Sequence, residues 1–362
     1  MRIGILGAGQ LAQLLAHAAY QLGLEVICYA ESTDYPAARN SKIFQGKLSD
    51  TKRLQEFLRQ VDLITVENEN IEIEILNFIA NICPLFPNSK AVGIAQDRLL
   101  EKSFFKNLGI PAPDFINIDS LATLKAAQTK LSPPALLKTR RFGYDGKGQI
   151  KIKTSSDCES AWLAINEASA ILEAFLPFDY EVSIIGAKNQ TGQICCFPLI
   201  YNQHAEGILR VSTVDITSHP LQNQAENYLR KVMEELDYIG VLAIEFFVKD
   251  NQLYANEMAP RVHNSGHLTI EAANCSQFEL HLRAITNLSL PKLEIKQPTA
   301  MINLIGNMPE QTTLLKDPNL HFYDYGKAAK PNRKLGHITI VANNLQTLHE
   351  KVARVSLANP GL

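Results

Sequence analysis

Two glutamates sit inside apolar, strand-like runs, and that placement constrains the fold more than any other feature. The runs are Val241-Leu242-Ala243-Ile244-Glu245-Phe246-Phe247-Val248 and Leu253-Tyr254-Ala255-Asn256-Glu257-Met258, separated by Lys249-Asp250-Asn251. Turn residues between two such runs predict an antiparallel hairpin. A charge inside an apolar strand is costly unless it is paired or holds a metal. Pairing about Asp250 sets Glu245 opposite Ala255, which makes Glu245 and Glu257 diagonal neighbours on one face. Two carboxylates facing one cavity repel unless a divalent cation lies between them. Their hard oxygens suit Mg2+ bridging ATP phosphates. The bland alternative is two buried acids salt-bridged to lysines.

The rest of the chain supplies the setting. Its 362 residues suggest two or three domains, and a 46% hydrophobic content is enough for packed cores. Residues 3–6, 25–29 and 63–66 read as strands, with helices over 10–22 and 54–60 between them. That rhythm predicts a parallel, Rossmann-like α/β sheet. A charged helix follows over 95–108. Beyond it, strands at 135–138, 171–185, 195–200, 241–248 and 252–258, with one main helix at 223–236, predict an α+β region with an antiparallel sheet. Pro291 to Pro298 forms a junction before short strands at 301–305 and 337–341 and a final helix at 345–355. The expected division is 1–95 for an N-terminal parallel-sheet domain, 96–290 for a central body and 291–362 for a small C-terminal domain.

Composition excludes several classes. A net charge of −2 gives no electrostatic case for a nucleic-acid partner. The six cysteines form no C-x-x-C pair, so reduced thiols are expected. The first residues run directly into a strand rather than a secretory signal, and no stretch is apolar enough to cross a membrane. A cytoplasmic enzyme is the expectation.

Other motifs carry weaker or stronger chemistry. Gly7-x-Gly9-x-x-Ala12 follows a strand and opens a helix, whose N-terminal N–H groups can bind an anion. A dinucleotide site, a glycine turn needed only for packing, or a different substrate facing Gln10 and Glu67-Asn68-Glu69-Asn70 all fit. The stretch from Lys138 to Gln149 holds three glycines in six residues among basic side chains, which suits a flap over polyphosphate or a plain basic hairpin. Glu173 and Glu181 flank a Pro-containing turn where a ribose or base can be read. Arg261, His263 and Asn264 follow the two acids and suit a small anion such as bicarbonate. His263 and His267 have a zinc-like spacing without a third ligand, and a capped loop is the plain reading. Lys327, Lys330, Arg333 and Lys334 form a basic cluster fit for a phosphate monoester or for solvent.

Together these strings resemble the ATP-grasp enzymes, and within them the 5-(carboxyamino)imidazole ribonucleotide synthetases of purine biosynthesis. The matching segments are Gly7–Ala12, Gln96-Asp97-Arg98 with Glu101-Lys102, Arg141–Gly148, Glu173-Ala174-Phe175, Asn256–His267 and Arg333–His337. The resemblance implies an N-terminal parallel-sheet domain, a two-lobed ATP-grasp body and a small C-terminal domain, in a homodimer using ATP and Mg2+. It implies that ATP phosphorylates bicarbonate and that the resulting carboxyphosphate, or its CO2, carboxylates the amine of 5-aminoimidazole ribonucleotide. Arg98, Lys138 and the loop Gly143, Tyr144, Asp145, Gly146, Lys147, Gly148, Gln149 would then meet ATP. Glu173, Ala174, Phe175, Leu176, Glu181, His204 and Asn256 would complete the nucleotide site. Glu245 and Glu257 would bind Mg2+, and Arg261, His263 and Asn264 would face bicarbonate. Tyr144 and Asp145 would meet the aminoimidazole, with Asp145 taking the amine proton. Lys327, Arg333 and Lys334 would grip the ribonucleotide phosphate, with Gln10, Leu11 and Glu67 on the substrate side. Ala12 and Asn332 replace glycines common in the family, and Phe142 alters the loop entry. The competing readings are a formate-using glycinamide ribonucleotide transformylase, a biotin carboxylase, a nicotinamide-dependent oxidoreductase and a non-catalytic nucleotide scaffold.

Overall fold

The computed structural model describes residues 1–143 and 147–358. Strands β1 (Arg2–Leu6), β2 (Glu25–Ala30), β3 (Lys42–Gln45) and β4 (Leu63–Val66) form one parallel sheet in the order β3-β2-β1-β4. Central β1 is buried on both faces from Ile3 to Leu6, as a helix-covered parallel strand must be. The helix Gln10–Gln21 lays Leu11, Leu14, Leu15, Ala18 and Ala19 against it. Each fully buried Leu or Ile side chain contributes about 1.5–3 kcal/mol.

A second, antiparallel sheet holds β5 (Phe115–Ile118), β6 (Ala135–Thr139), β7 (Gln149–Ile152) and β8 (Ala170–Ala174) in the order β5-β8-β6-β7. The glycine-rich loop is the connection of the β6–β7 hairpin, closed where Lys138 pairs with Gln149 and Thr139 N donates to the Gly148 carbonyl. Tyr144, Asp145 and Gly146 lie outside the described residues.

The third sheet is the largest. It contains β9 (Tyr180–Lys188), β10 (Ile194–Cys196), β11 (Ile200–Ala205), β12 (Ile208–Val214), β13 (Gly240–Lys249), β14 (Gln252–Ala259), β15 (Thr299–Ile305), β16 (Leu320–Asp324) and β17 (Lys334–Val341). Its order is β14-β13-β9-β11-β12-β15-β17-β16, with β10 also pairing with β9. The C-terminal strands therefore continue the same sheet through β12–β15 pairing.

Local chemistry explains where these elements depart from the sequence expectations. Residues 195–200 split into β10 and β11 around Pro198, which has no N–H for the ladder. The helix expected over 95–108 starts later, at Arg98, and runs to Asn107 as the second of two helices after Ser89–Ala95, because the Asp97 side chain accepts from Leu99 N and caps it. The β13–β14 turn is a two-residue turn at Asp250 and Asn251, both with positive φ, rather than one centred on Asp250. A bulge then adds Asn256 to β14 between the pairs Phe246–Ala255 and Glu245–Glu257. Glu245 and Glu257 are thus directly opposite, not diagonal.

Candidate active site

A cleft of about 630 Å3 opens where the three sheets converge. Its wall includes Gln10, Leu11, Glu67, Arg98, Lys138, Gly143, Gln149, Glu181, His204, Glu245, Asn256, Glu257, Arg261, His263, Asn264 and Lys334. Residues that are distant in sequence thereby share one cavity.

The acids and bases are paired in a definite way. Glu245 is mostly buried, its side chain 13% exposed, and accepts from His263 Nε2 at 3.2 Å. Burial alone would raise its carboxyl, but the hydrogen bond and charge of His263, together with the charges of His204 and Lys334, hold it down at about 2. Glu257 is half-exposed, with Arg98 Nη2 at 3.9 Å. Arg98 also donates to the carbonyls of Thr139 and Gly143, which ties it to the foot of the glycine loop. Two facing carboxylates, one buried and one open to the cleft, form a hard-oxygen donor set that fits Mg2+. Burial, with the charge of Glu257 nearby, pushes Glu101 up to about 8.

Behind the cleft wall, Glu173 is only 1% exposed. It lies 2.9 Å from Lys102 Nζ and 2.5 Å from Lys138 Nζ. Its carboxylate faces these lysines rather than the cleft, and Ala174, Phe175 and Leu176 stand beside it, outside the wall. Glu181 pairs with His204 Nδ1; burial would lower the imidazole's pKa, but the Glu181 bond and the charges of Glu245, Glu181 and Glu257 together raise it. Arg261 meets Glu69 through Nε and Nη2, a bidentate pair. Asn264 exchanges two amide hydrogen bonds with Asn303 of β15. The rings of His263 and His267 have separate partners, since Gln277 Nε2 donates to His267 Nδ1.

The N-terminal glycine turn is filled by the chain itself. Glu67 accepts from Gly9 N at 2.7 Å and from Ala12 N at 3.1 Å, as an anion at a helix N-terminus should. A Cβ at Gly7 would stand 2.4 Å from Glu67 Cγ, so glycine there admits this carboxylate. No space is left at those N–H groups for a pyrophosphate. Lys327 Nζ reaches Gln10 Oε1, which brings the C-terminal basic cluster to the cleft edge. Arg333 lies further out, donating to the Ala328 carbonyl.

Three family models match consecutive parts of the chain. They are the ribonucleotide synthetase preATP-grasp domain over residues 1–96, the ATP-grasp domain over 103–278, and the phosphoribosylaminoimidazole carboxylase C-terminal domain over 299–351. The N5-carboxyaminoimidazole ribonucleotide synthase of Pseudomonas aeruginosa is 42% identical over 355 residues, 98% of each chain. The chain belongs to the N5-carboxyaminoimidazole ribonucleotide synthase family. The crystal structure of the Thermus thermophilus synthetase is 43% identical, with a TM-score of 0.94 over 99% of both chains. An Aspergillus clavatus synthase, solved in complex with ADP and 5-aminoimidazole ribonucleotide, is 27% identical, with a TM-score of 0.89 over 98% of this chain and 96% of that one.

Members of the N5-carboxyaminoimidazole ribonucleotide synthase family are ATP-dependent ligases, and the reaction of this chain is the ATP-dependent carboxylation of purine biosynthesis. Several residues of the cleft have roles that no sequence spacing announced. Asp97 receives Arg140 through both carboxylate oxygens, and Gln96 Oε1 accepts from Arg141 at 2.6 Å. These bonds fasten the foot of the glycine loop to the second of the two helices and to the 69–71 segment. Lys102 spans from Glu173 to the Ala255 carbonyl on β14. The matched strings around Gln96 and Glu101 were the only signal for them. Among the described residues, no helix is long and apolar enough to cross a membrane.

Proposed function

We propose that this cleft phosphorylates bicarbonate with ATP and passes the carboxyl group to the exocyclic amine of 5-aminoimidazole ribonucleotide. The observation that carries the reading is the direct opposition of Glu245 and Glu257, with His263, Arg261 and Asn264 beside them in one cavity. Mg2+ held by Glu245 and Glu257 would neutralise charge on the ATP phosphates. Arg98 and Lys138 add cationic donors aimed at the same oxygens. Glu181 and His204 hold the ribose, and the adenine lies toward the segment from Glu173 to Leu176, which backs that side of the wall through Lys138.

Arg261, oriented by Glu69, receives bicarbonate together with His263 and Asn264. The bicarbonate oxygen attacks the γ-phosphoryl group, the bond to ADP breaks, and carboxyphosphate forms. The glycine loop from Gly143 to Gln149 covers this species and keeps water out. The amine then attacks the carboxyl carbon, or CO2 released from it, and phosphate leaves. Asp145 takes the amine proton and Tyr144 meets the imidazole. Lys327, Arg333 and Lys334 grip the ribonucleotide phosphate, with Gln10, Leu11 and Glu67 lining its approach. We place the protein in the cytoplasm as a homodimer, and divide it at residues 95 and 290.

The test is phosphate release from ATP with each substrate omitted in turn. Turnover should require bicarbonate and 5-aminoimidazole ribonucleotide together. Turnover with glycinamide ribonucleotide and formate, and none with the aminoimidazole, would overturn the reading.

A further inference from the structure

A line of buried polar side chains leads away from His263 into the large sheet. His263 Nδ1 lies 2.9 Å from Ser265 Oγ, and Ser265 Oγ lies 2.7 Å from Ser183 Oγ. Asn202 Nδ2 is 3.0 Å from Ser183 Oγ, and Ser212 Oγ is 2.8 Å from Asn202 Oδ1. Ser183, Asn202 and Ser212 stand on the neighbouring strands β9, β11 and β12, and Ser183 pairs directly with Glu245. The three serines are fully buried and Asn202 is 6% exposed, so bulk water cannot stand in for a missing partner.

Proton counting gives this line one direction. The backbone N–H of Ser265 points at His263 Nδ1 from 3.3 Å, and a backbone N–H can only donate. Nδ1 is therefore an acceptor, and a neutral ring carries its proton on Nε2, facing Glu245. The Ser265 hydroxyl gives its one proton to Nδ1, so its oxygen accepts from Ser183. With that proton used, the Ser183 oxygen accepts from the Asn202 amide nitrogen, and the Asn202 carbonyl accepts from Ser212. A reversed Asn202 amide would take the Ser183 proton. One of the contacts, Ser183–Ser265 or Ser265–His263, would then have no proton between its atoms.

We infer that Ser212, Asn202, Ser183 and Ser265 form a one-way hydrogen-bond chain that sets the Nε2–H tautomer of His263 and aims that proton at Glu245. They are positioning residues: none lines the cleft, and all act through His263. The catalytic consequence rests on the proposed roles of Glu245 and His263, whereas the tautomer itself does not.

The informative variant is Asn202→Asp, which keeps the size of the side chain and replaces its donor with an acceptor. Ser183 would then donate to the new carboxylate and Ser265 to Ser183, leaving His263 Nδ1 with the longer Ser265 N–H contact alone. The probe is nitrogen NMR of the full-length protein labelled with 15N-histidine, recorded without nucleotide or metal. The His263 signals are assigned by their loss in His263→Gln. The wild-type ring should show the Nε2–H tautomer, and Asn202→Asp, which withdraws the nearer of the two donors to Nδ1, should lower the share of that tautomer. Its kcat should fall about ten- to a hundredfold, the range for partners that orient a metal-side ligand, with ADP affinity retained. Should Asn202→Asp fail to fold, Ser183→Ala interrupts the line without reversing it and should give a mixture of tautomers. An unchanged tautomer in folded variants, or a shifted tautomer with unchanged kcat, would overturn the inference. A wild-type protein that shows the tautomer but no turnover with the aminoimidazole would instead sink the proposed function and leave the chain standing.

Discussion

Glu173→Gln tests the electrostatics of the cleft most directly. The wild-type carboxylate is buried and touched by two ammonium groups, Lys102 at 2.9 Å and Lys138 at 2.5 Å. Burial would raise its pKa, but the two lysines hold it at about 2, well below 4.5. At about 1.4 kcal/mol per decade of acidity, that difference is worth about 3 kcal/mol at neutral pH. Removing one charge from a buried ion cluster costs about 3–5 kcal/mol, so both routes agree. The sign follows from linkage. A depressed carboxyl stabilises the fold above pH 4.5, and the contribution is lost as pH falls toward about 2. The assay is urea unfolding followed by circular dichroism, at neutral pH and in acid. Glu173→Gln should unfold at clearly lower urea at neutral pH, with the deficit shrinking in acid. Adding Lys102→Met removes one stranded ammonium group and should restore part of the loss. A Glu173→Gln midpoint equal to wild type would refute the reasoning.

Four further outcomes follow from the same geometry. Glu257→Gln should abolish ATP turnover without changing the urea midpoint, because the side chain is half-exposed and only distantly paired; normal turnover would remove Glu257 from the metal site. His281 and His337 are buried and neutral, held by desolvation at about 4 and about 3. Unfolding frees them to take up protons, so stability should be greatest above pH 6.5 and decline as pH falls below it; a flat urea midpoint across that range would count against this. Glu69→Gln should release Arg261 and lower kcat/KM for bicarbonate about tenfold to a hundredfold while ADP binding is kept, and an unchanged value would separate Arg261 from bicarbonate. NADH fluorescence titration should show no saturable binding, since Glu67 already occupies the N–H groups of the first helix; tight binding would contradict that assignment.

What the sequence determined by itself was local. Apolar runs of strand length and their turn residues specified the parallel N-terminal sheet, because side-chain period and backbone preference act within a few residues. The same rules specified a hairpin carrying two glutamates, and left the glycine-rich stretch with its lysines and arginines open between a flap and a plain hairpin. They did not specify how the pieces meet. The direct opposition of Glu245 and Glu257 depends on a two-residue turn and a bulge at Asn256, and a one-residue shift in register changes which side chains face each other. Glu67 closing on Gly9, Glu173 lying between two lysines, Arg261 turning to Glu69 and Asn264 pairing with Asn303 join residues 58, 35, 192 and 39 positions apart. Such contacts have no sequence period. Only close packing and the need of each buried polar group for a partner decided them.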